Sequence, residues 1–128
     1  MDLIKTKEYH SIIKSAKKDK NIIALILFGS YAKGNVKPNS DIDICIIRKE
    51  GSMPHDFEIL DYQDRKTFDI LFYDKLPFYI KFKVFSEGKI LALNDEKSFF
   101  KIRRKFLHIY RDNYSFFMKN MRRMVANV

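Results

Sequence analysis

The chain is short of cysteine, of acidic residues and of long apolar runs, and each shortage excludes a class of protein. A single cysteine cannot form an internal disulfide, so we expect a reduced, cytoplasmic protein rather than a disulfide-stapled secreted one. The longest apolar run, residues 22–28, is far shorter than the ~20 residues that span a membrane. The first residues also lack the pattern of a signal peptide, which again favours the cytoplasm.

Acidic residues are outnumbered by basic ones, 16 against 25, and the formal net charge is +9. A charge this positive favours polyanionic partners such as nucleotides, RNA or an acidic protein surface. Apolar residues make up 46% of the chain and charged residues 32%, which is typical of a globular protein and not of a disordered one. The length of 128 residues supports one core, so we expect a single domain over residues 1–128.

Apolar periodicity and turn residues predict an alternation of helices and strands. The expected elements are a helix over 5–20, a strand over 21–28, a short helix or turn over 30–34, a strand around Asp41 and Asp43, a loop over 49–54, a strand over 65–73, a helix from Pro77 to Glu87 capped by Gly88, an edge strand over 90–93 and a long helix from Asn94 or Asp95 to about Ala126. The segment 57–62 fits a short strand or a short helix equally well.

The most informative stretch follows the first strand and reads FGSYAKGNVKPNSDIDICII. An apolar strand leads into Gly29 and Ser30, and a second strand carries Asp41 and Asp43 in alternation with isoleucines. Side chains two apart in a strand point the same way, ~7 Å apart, so the two carboxylates share one face. Burying both without cations or protons would be costly, so the pattern indicates a site for divalent cations. We expect Cys45 to face the opposite, packed side of the sheet.

These residues, with Gly34, Ser40 and the apolar run after them, resemble the signature of the nucleotidyltransferase superfamily that includes DNA polymerase β. The resemblance is greatest to its small single-domain members, the minimal nucleotidyltransferases (MNT). It implies an α/β (α+β) fold in which helices flank a small mixed sheet, with a catalytic core over about 20–95 and a long C-terminal helix over about 95–126. That fold needs a third carboxylate on a neighbouring strand, and Asp69, among apolar strand residues, is the candidate.

The resemblance also implies a role for each site residue. Asp41 and Asp43 would be ligands shared between two Mg²⁺ ions, or Mn²⁺, and Asp69 would complete the site of the catalytic metal and assist deprotonation of the acceptor hydroxyl. Two such ions can stabilise the attacking and leaving oxygens while the α-phosphate of ATP is displaced. The residues expected to hold the triphosphate are Gly29, Ser30, Lys33 and Ser40, with a weaker contribution from Lys37.

The function implied by the resemblance is that of the antitoxin in a HEPN/MNT toxin–antitoxin pair, transferring AMP from ATP to a tyrosine hydroxyl of the HEPN toxin. A short chain without a second substrate-binding domain favours a protein acceptor. Two alternatives stay open. The protein could be a non-catalytic, nucleotide-binding antitoxin that acts by direct contact, or a nucleotidyltransferase acting on a small-molecule or RNA hydroxyl.

The predicted C-terminal helix interleaves basic residues with aromatic ones. We expect part of the aromatic set to pack on the sheet, and an exposed remainder would mark a docking surface for a protein partner. RNA contact is the second choice, and a homo-oligomer stays open. Arg103, His108 and Tyr110 also fit the Arg-x4-His-x-Tyr pattern of HEPN ribonucleases. We interpret that match as coincidence, because this helix belongs to a different fold.

Overall fold

The structure, a computed structural model, describes residues 7–37, 41–55 and 68–126. Within these ranges the elements are α1 (Lys7–Lys18), β1 (Ile22–Phe28), α2 (Ser30–Lys33), β2 (Ile42–Arg48), β3 (Phe68–Phe72), α3 (Phe78–Glu87), β4 (Lys89–Leu93), α4 (Glu96–Asp112) and α5 (Tyr114–Ala126). A 3-10 turn, Tyr73–Lys75, separates β3 from α3. The segment 57–62 and the predicted start of the third strand, 65–67, lie outside the described residues.

The strands form one four-stranded mixed sheet in the order β3, β2, β1, β4. β1 pairs antiparallel with both β2 and β4, whereas β2 and β3 run parallel. β4 lies at the edge of the sheet, as predicted for the short segment 90–93. The α/β fold with a small mixed sheet flanked by helices is confirmed.

β1 lies inside the sheet because all of its residues are apolar, so both of its faces can be covered. All seven are buried, and a strand covered on both faces gives the continuous apolar run seen in the sequence. Its pairing with β2 shifts at an irregularity between Ile22 and Ala24. Beyond this irregularity the side chains alternate, with Leu25 and Leu27 facing α1 and their neighbours facing α3 and α4.

The sheet separates two apolar clusters. On one face α1 contributes Tyr9, Ile12 and Ala16 at helical spacing, and they cluster with the even-numbered isoleucines of β2. On the other face, α3 and α4 contribute Val84 and Phe99. Fully burying such an apolar side chain contributes roughly 1.5–3 kcal/mol to the free energy of folding. These positions therefore determine which side of the sheet each strand residue faces. The odd-numbered residues of β2 therefore point towards α3 and α4.

The C-terminal helix predicted from the sequence is present, but it is interrupted at Asn113 and so forms two helices, α4 and α5. The side-chain amide of Asn113 donates to the Ile109 carbonyl oxygen at 2.9 Å, and its backbone N–H donates to the same oxygen at 3.1 Å. An asparagine that bonds its local backbone in this way competes with helix continuation. Of the helices in the described ranges, none has the length and apolar character needed to cross a membrane.

The turn between α3 and β4 depends on Gly88, at the predicted cap position. Its φ of −71° is not left-handed, so conformational freedom is not the reason for glycine here. A Cβ at this position would instead collide with the Val84 carbonyl oxygen and approach Ile26 Cγ2. Glycine lets the end of α3 lie directly against β1.

Candidate active site

The end of β1 and the beginnings of β2 and β3 meet at one edge of the sheet. Asp43 on β2 pairs with Phe28 on one side and with Asp69 on the other. Since Asp43 alternates with buried isoleucines that face α1, its carboxylate points to the side of α3 and α4, and Asp69 shares that face by register. Asp41 immediately precedes β2 and is exposed, two residues from Asp43.

The pKa of Asp43 depends on its burial and on the neighbouring acidic groups. Burial first, and then the negative charges of Asp69 and Asp41, together raise the pKa of this half-buried carboxyl from 3.8 to about 6. Lys83 of α3 acts in the opposite direction. Asp41, Asp43 and Asp69 thus form one anionic cluster, in which Asp43 is about half protonated near pH 6 when no cation is bound.

Gly29 places backbone directly against this cluster. It precedes α2 with a left-handed φ of 76°, and a Cβ added there would collide with Asp43 Oδ2. The Gly29 carbonyl accepts hydrogen bonds from the N–H groups of Ala32 and Lys33 at 3.1 and 3.2 Å, which closes the short helix. Ser30, half-buried, is the first residue of that helix. The bend predicted to approach a triphosphate therefore lies beside the carboxylates.

Lys33, at the end of α2, contacts a partner that the sequence did not reveal. Its Nζ lies 2.9 Å from Glu87 Oε1 at the end of α3, and the two side chains are 44% and 26% exposed. The other carboxylate oxygen, Glu87 Oε2, is buried and has no hydrogen-bond partner among the described residues. Of the other predicted phosphate contacts, Lys37 is exposed and Ser40 lies outside the described residues.

Sequence reasoning missed both charged residues that α3 turns towards the site. Lys83 and Glu87 are one helical turn apart and therefore share a face. That spacing is visible in the sequence, but it does not say which face of α3 turns towards Asp43 and Lys33. The packing of Val84 into the core decides it.

The donor chemistry of the cluster fits a hard divalent cation. Carboxylate oxygens are the ligands that Mg²⁺ and Mn²⁺ prefer, and a cation would relieve the repulsion that Asp43 experiences. In the described part of the chain, no group of three or more acidic, histidine or cysteine side chains is close enough together to coordinate one metal ion. The cluster therefore has the right chemistry, while its arrangement as a metal site stays a prediction.

Cys45 does not lie where we expected. It shares a face with Asp43, because positions 43 and 45 are two apart, and it is fully buried in the cluster beneath α3 and α4. Burial raises the pKa of its thiol. On this face of β2, Asp43 is therefore the half-buried residue at the edge of the sheet, and Cys45 is the next, fully buried residue towards the core.

The three residues of the Arg-x4-His-x-Tyr match differ in their surroundings. The Tyr110 ring stacks on Phe82 with ring centroids 5.0 Å apart, which gives it a packing role, while Arg103 and His108 are exposed.

Asp74 has a structural role. It accepts two hydrogen bonds from Arg48, at 3.0 and 2.8 Å, and so links the end of β2 to the turn after β3.

Comparison with known proteins places this geometry in a family. The model of the family described as polymerase beta, nucleotidyltransferase, matches residues 10–97. A protein of Methanocaldococcus jannaschii, named as a candidate protein adenylyltransferase, is 34% identical over 91 residues, which cover 71% of each chain.

Solved structures share the fold. A chain of a toxin–antitoxin crystal structure with AMP-PNP matches with a TM-score of 0.60 and 21% identity, over 91% of this chain and 99% of that one. A chain of the structure of a tri-AMPylated Shewanella oneidensis HEPN toxin with its MNT antitoxin matches with a TM-score of 0.54 and 17% identity, over 89% and 96%. The match of the family model and the relative in M. jannaschii show that the chain belongs to the polymerase β nucleotidyltransferase family, whose members are nucleotide-transferring enzymes.

Proposed function

We propose that the protein transfers AMP from ATP to a hydroxyl of a partner protein, a tyrosine of a HEPN-type toxin, and thereby acts as its antitoxin. The observation that carries the proposal is the pairing of Asp43 with Asp69 beside Gly29. Relatives support the acceptor class, since one is named as a protein adenylyltransferase and another structure contains an AMPylated HEPN toxin.

In this proposal Asp41, Asp43 and Asp69 hold two Mg²⁺ ions. When bound, these ions neutralise the triphosphate and stabilise the attacking and leaving oxygens. Asp69 is exposed at the rim of the site, so it is the carboxylate that an acceptor hydroxyl can approach from solvent. It takes the hydroxyl proton as the new oxygen–phosphorus bond forms at the α-phosphate, and the bond to pyrophosphate breaks.

The phosphates of ATP lie against the bend at Gly29. A Cβ at this position would collide with Asp43 Oδ2, so glycine lets the backbone of the bend lie directly beside the carboxylate that would hold the metal ions. Ser30, on the first turn of α2, donates its hydroxyl to a phosphate oxygen. Lys33 supplies a cation at the other end of the same short helix.

The partner docks on the outer stripe of α4, formed by Phe100, Arg104, Leu107 and Arg111. Residues spaced four, three and four apart lie on one helix face, and all four are exposed. The inner face of the same helix already buries Phe99 and Phe106 against the sheet and α3. A second face with exposed aromatic and aliphatic residues is typical of a protein interface, and its arginines fit an acidic partner.

A growth assay with the proposed HEPN-type toxin partner separates catalysis from contact. Co-expressed wild-type protein should restore growth, whereas Asp43→Asn should fail to restore it although the two proteins still bind. Neutralisation that survives Asp43→Asn would instead favour the non-catalytic antitoxin, for which the outer stripe of α4 is the supporting observation. Binding must be measured in parallel, because a variant that no longer docks would fail for another reason.

A further inference from the structure

The ion pair between Lys33 and Glu87 joins two elements of the candidate site. Lys33 ends the short helix that begins beside Gly29, and Glu87 ends α3. Lys83, one turn earlier on α3, is close enough to Asp43 to favour its charged form. The face of α3 that carries Glu87 therefore looks into the site and not into bulk solvent.

Stability does not explain why Glu87 is there. A partly exposed lysine–carboxylate pair contributes little to folding. Glu87 Oε2 is buried and lacks a hydrogen-bond partner among the described residues, which costs free energy. An unsatisfied buried carboxylate oxygen in a native protein calls for another explanation, and a functional site is a common one.

The pair also leaves Lys33 neutralised. The Glu87 carboxylate, 2.9 Å from the Lys33 ammonium, neutralises its charge and uses one of its three N–H donors, so a phosphate oxygen that binds Lys33 competes with that carboxylate. Only a ligand whose phosphates extend from Gly29 to the end of α2 meets this competition. A ligand with one phosphate need not touch Lys33.

We propose that Glu87 is an internal substitute for the triphosphate: it holds Lys33 in the nucleotide-free protein and exchanges with a phosphate oxygen when ATP binds. The inference rests on the proposed function, because it takes Gly29 and Lys33 to be the triphosphate contacts. It makes Glu87 a residue that sets nucleotide affinity. Glu87 weakens the binding only of ligands whose phosphates reach Lys33. It therefore reduces the difference in affinity between ATP and nucleotides with fewer phosphates.

The test is calorimetric titration of the full chain with a non-hydrolysable ATP analogue and, separately, with AMP, both with Mg²⁺. Glu87→Gln keeps the size of the side chain and removes its charge. We expect it to tighten binding of the ATP analogue by about threefold to fivefold, the effect of one partly exposed ion pair that no longer competes. Binding of AMP should change by less than about twofold on the same reasoning.

Two control variants isolate the pair. In a Lys33→Ala background, Glu87→Gln should leave the affinity for the ATP analogue unchanged, because the ammonium group for which Glu87 and the phosphate compete is absent. Glu96→Gln removes an exposed carboxylate at the start of α4 and should also leave it unchanged.

Weaker or unaltered binding of the ATP analogue by Glu87→Gln would overturn the inference, since a residue that merely positions Lys33 would weaken binding when lost. Equal tightening of ATP analogue and AMP would overturn it too. If the wild-type protein binds neither ligand, the proposed function fails and the inference fails with it. Binding by the wild type without an effect of Glu87→Gln leaves the proposed function intact.

Discussion

Asp43 and Asp69 lie directly opposite each other on the parallel strands β2 and β3. Neighbouring strands in a sheet are roughly 4.8 Å apart, so two in-register side chains on one face are held close by backbone pairing alone. Burial and, after it, the negative charge of Asp69 raise the pKa of Asp43. The fold therefore maintains an arrangement that opposes stability and suits a cation, as is common at functional sites.

The first prediction concerns Asp43 and pH. Its pKa is 3.8 in an unfolded chain and about 6 in the folded protein, so between these values the folded state binds more protons. Stability must then fall as pH rises through this window, and the full penalty is present above pH 6. Without divalent cations, Asp43→Asn should raise the Tm at about pH 8 by roughly 3–6 °C, which corresponds to about 1 kcal/mol in a domain of this size. The gain should vanish near pH 4.

Adding Mg²⁺ supplies the control for this prediction. The cation should raise the Tm of the wild type and have little effect on Asp43→Asn, because the variant has lost a central ligand. A variant less stable than the wild type at about pH 8 without Mg²⁺ would contradict the description of Asp43 as a destabilising carboxylate.

The second prediction compares two glycines with left-handed φ angles, 76° at Gly29 and 77° at Gly34. Alanine at either position should cost roughly 1–2 kcal/mol in backbone strain, measured by urea denaturation. Only Gly29→Ala also pushes a Cβ into Asp43, whereas a Cβ at Gly34 meets nothing within 4 Å. Nucleotide and Mg²⁺ binding should therefore be lost in Gly29→Ala and retained in Gly34→Ala. Equal losses in both variants would show that the approach of Gly29 to Asp43 is irrelevant to binding.

The third prediction tests the outer stripe of α4 with two exposed aliphatic residues of one helix, Leu107 at 39% and Ile109 at 44% exposure. They lie on different faces because two residues span about 200° of an α-helix. Leu107→Glu should weaken binding of the toxin partner at least tenfold in a calorimetric titration, since it places a charge in the centre of the proposed contact. Ile109→Glu should have little effect, and both variants should bind the ATP analogue normally. A larger loss with Ile109→Glu would move the interface to the other side of α4.

The fourth prediction concerns the end of the sheet opposite the site. The Asn94 side-chain amide donates to the carbonyl oxygens of Ala16, Asp19 and Ile22 at 2.7, 3.1 and 3.0 Å. It thereby joins the end of α1, the start of β1 and the end of β4. Asn94→Ala leaves these carbonyls without that donor and should lower the free energy of unfolding by roughly 1–3 kcal/mol in urea denaturation. Nucleotide affinity should not change, and a loss of affinity at unchanged stability would contradict this purely structural role.

Much of the site can be predicted from the sequence because its signals are local. The apolar run of β1 and the alternation around Asp43 fix two strands and the faces of their side chains. Asp69 could be selected because its neighbours are apolar and place it in a strand rather than a loop. Register then brings it opposite Asp43, which the sequence can suggest only through resemblance to a family.

The parts that escaped prediction depend on contacts between distant segments or on a weak local signal. Glu87 meets Lys33 only after α3 has packed across β1, and no local pattern encodes this packing. The break at Asn113 rests on one side-chain hydrogen bond, without a glycine or proline to announce it. The orientation of Cys45 is different, since the two-residue period of a strand already places it on the face of Asp43 and our interpretation was wrong.

The central claim is that three carboxylates direct AMP from ATP to a partner protein. The most direct measurement is incubation of the purified toxin partner with this protein, Mg²⁺ and ATP labelled either at the α-phosphate or at the γ-phosphate. The account predicts covalent label on the toxin from the α-position alone, lost in Asp43→Asn and in Asp69→Asn and retained in Gly34→Ala. Label from the γ-position, no label from either, or transfer that survives Asp69→Asn would contradict it.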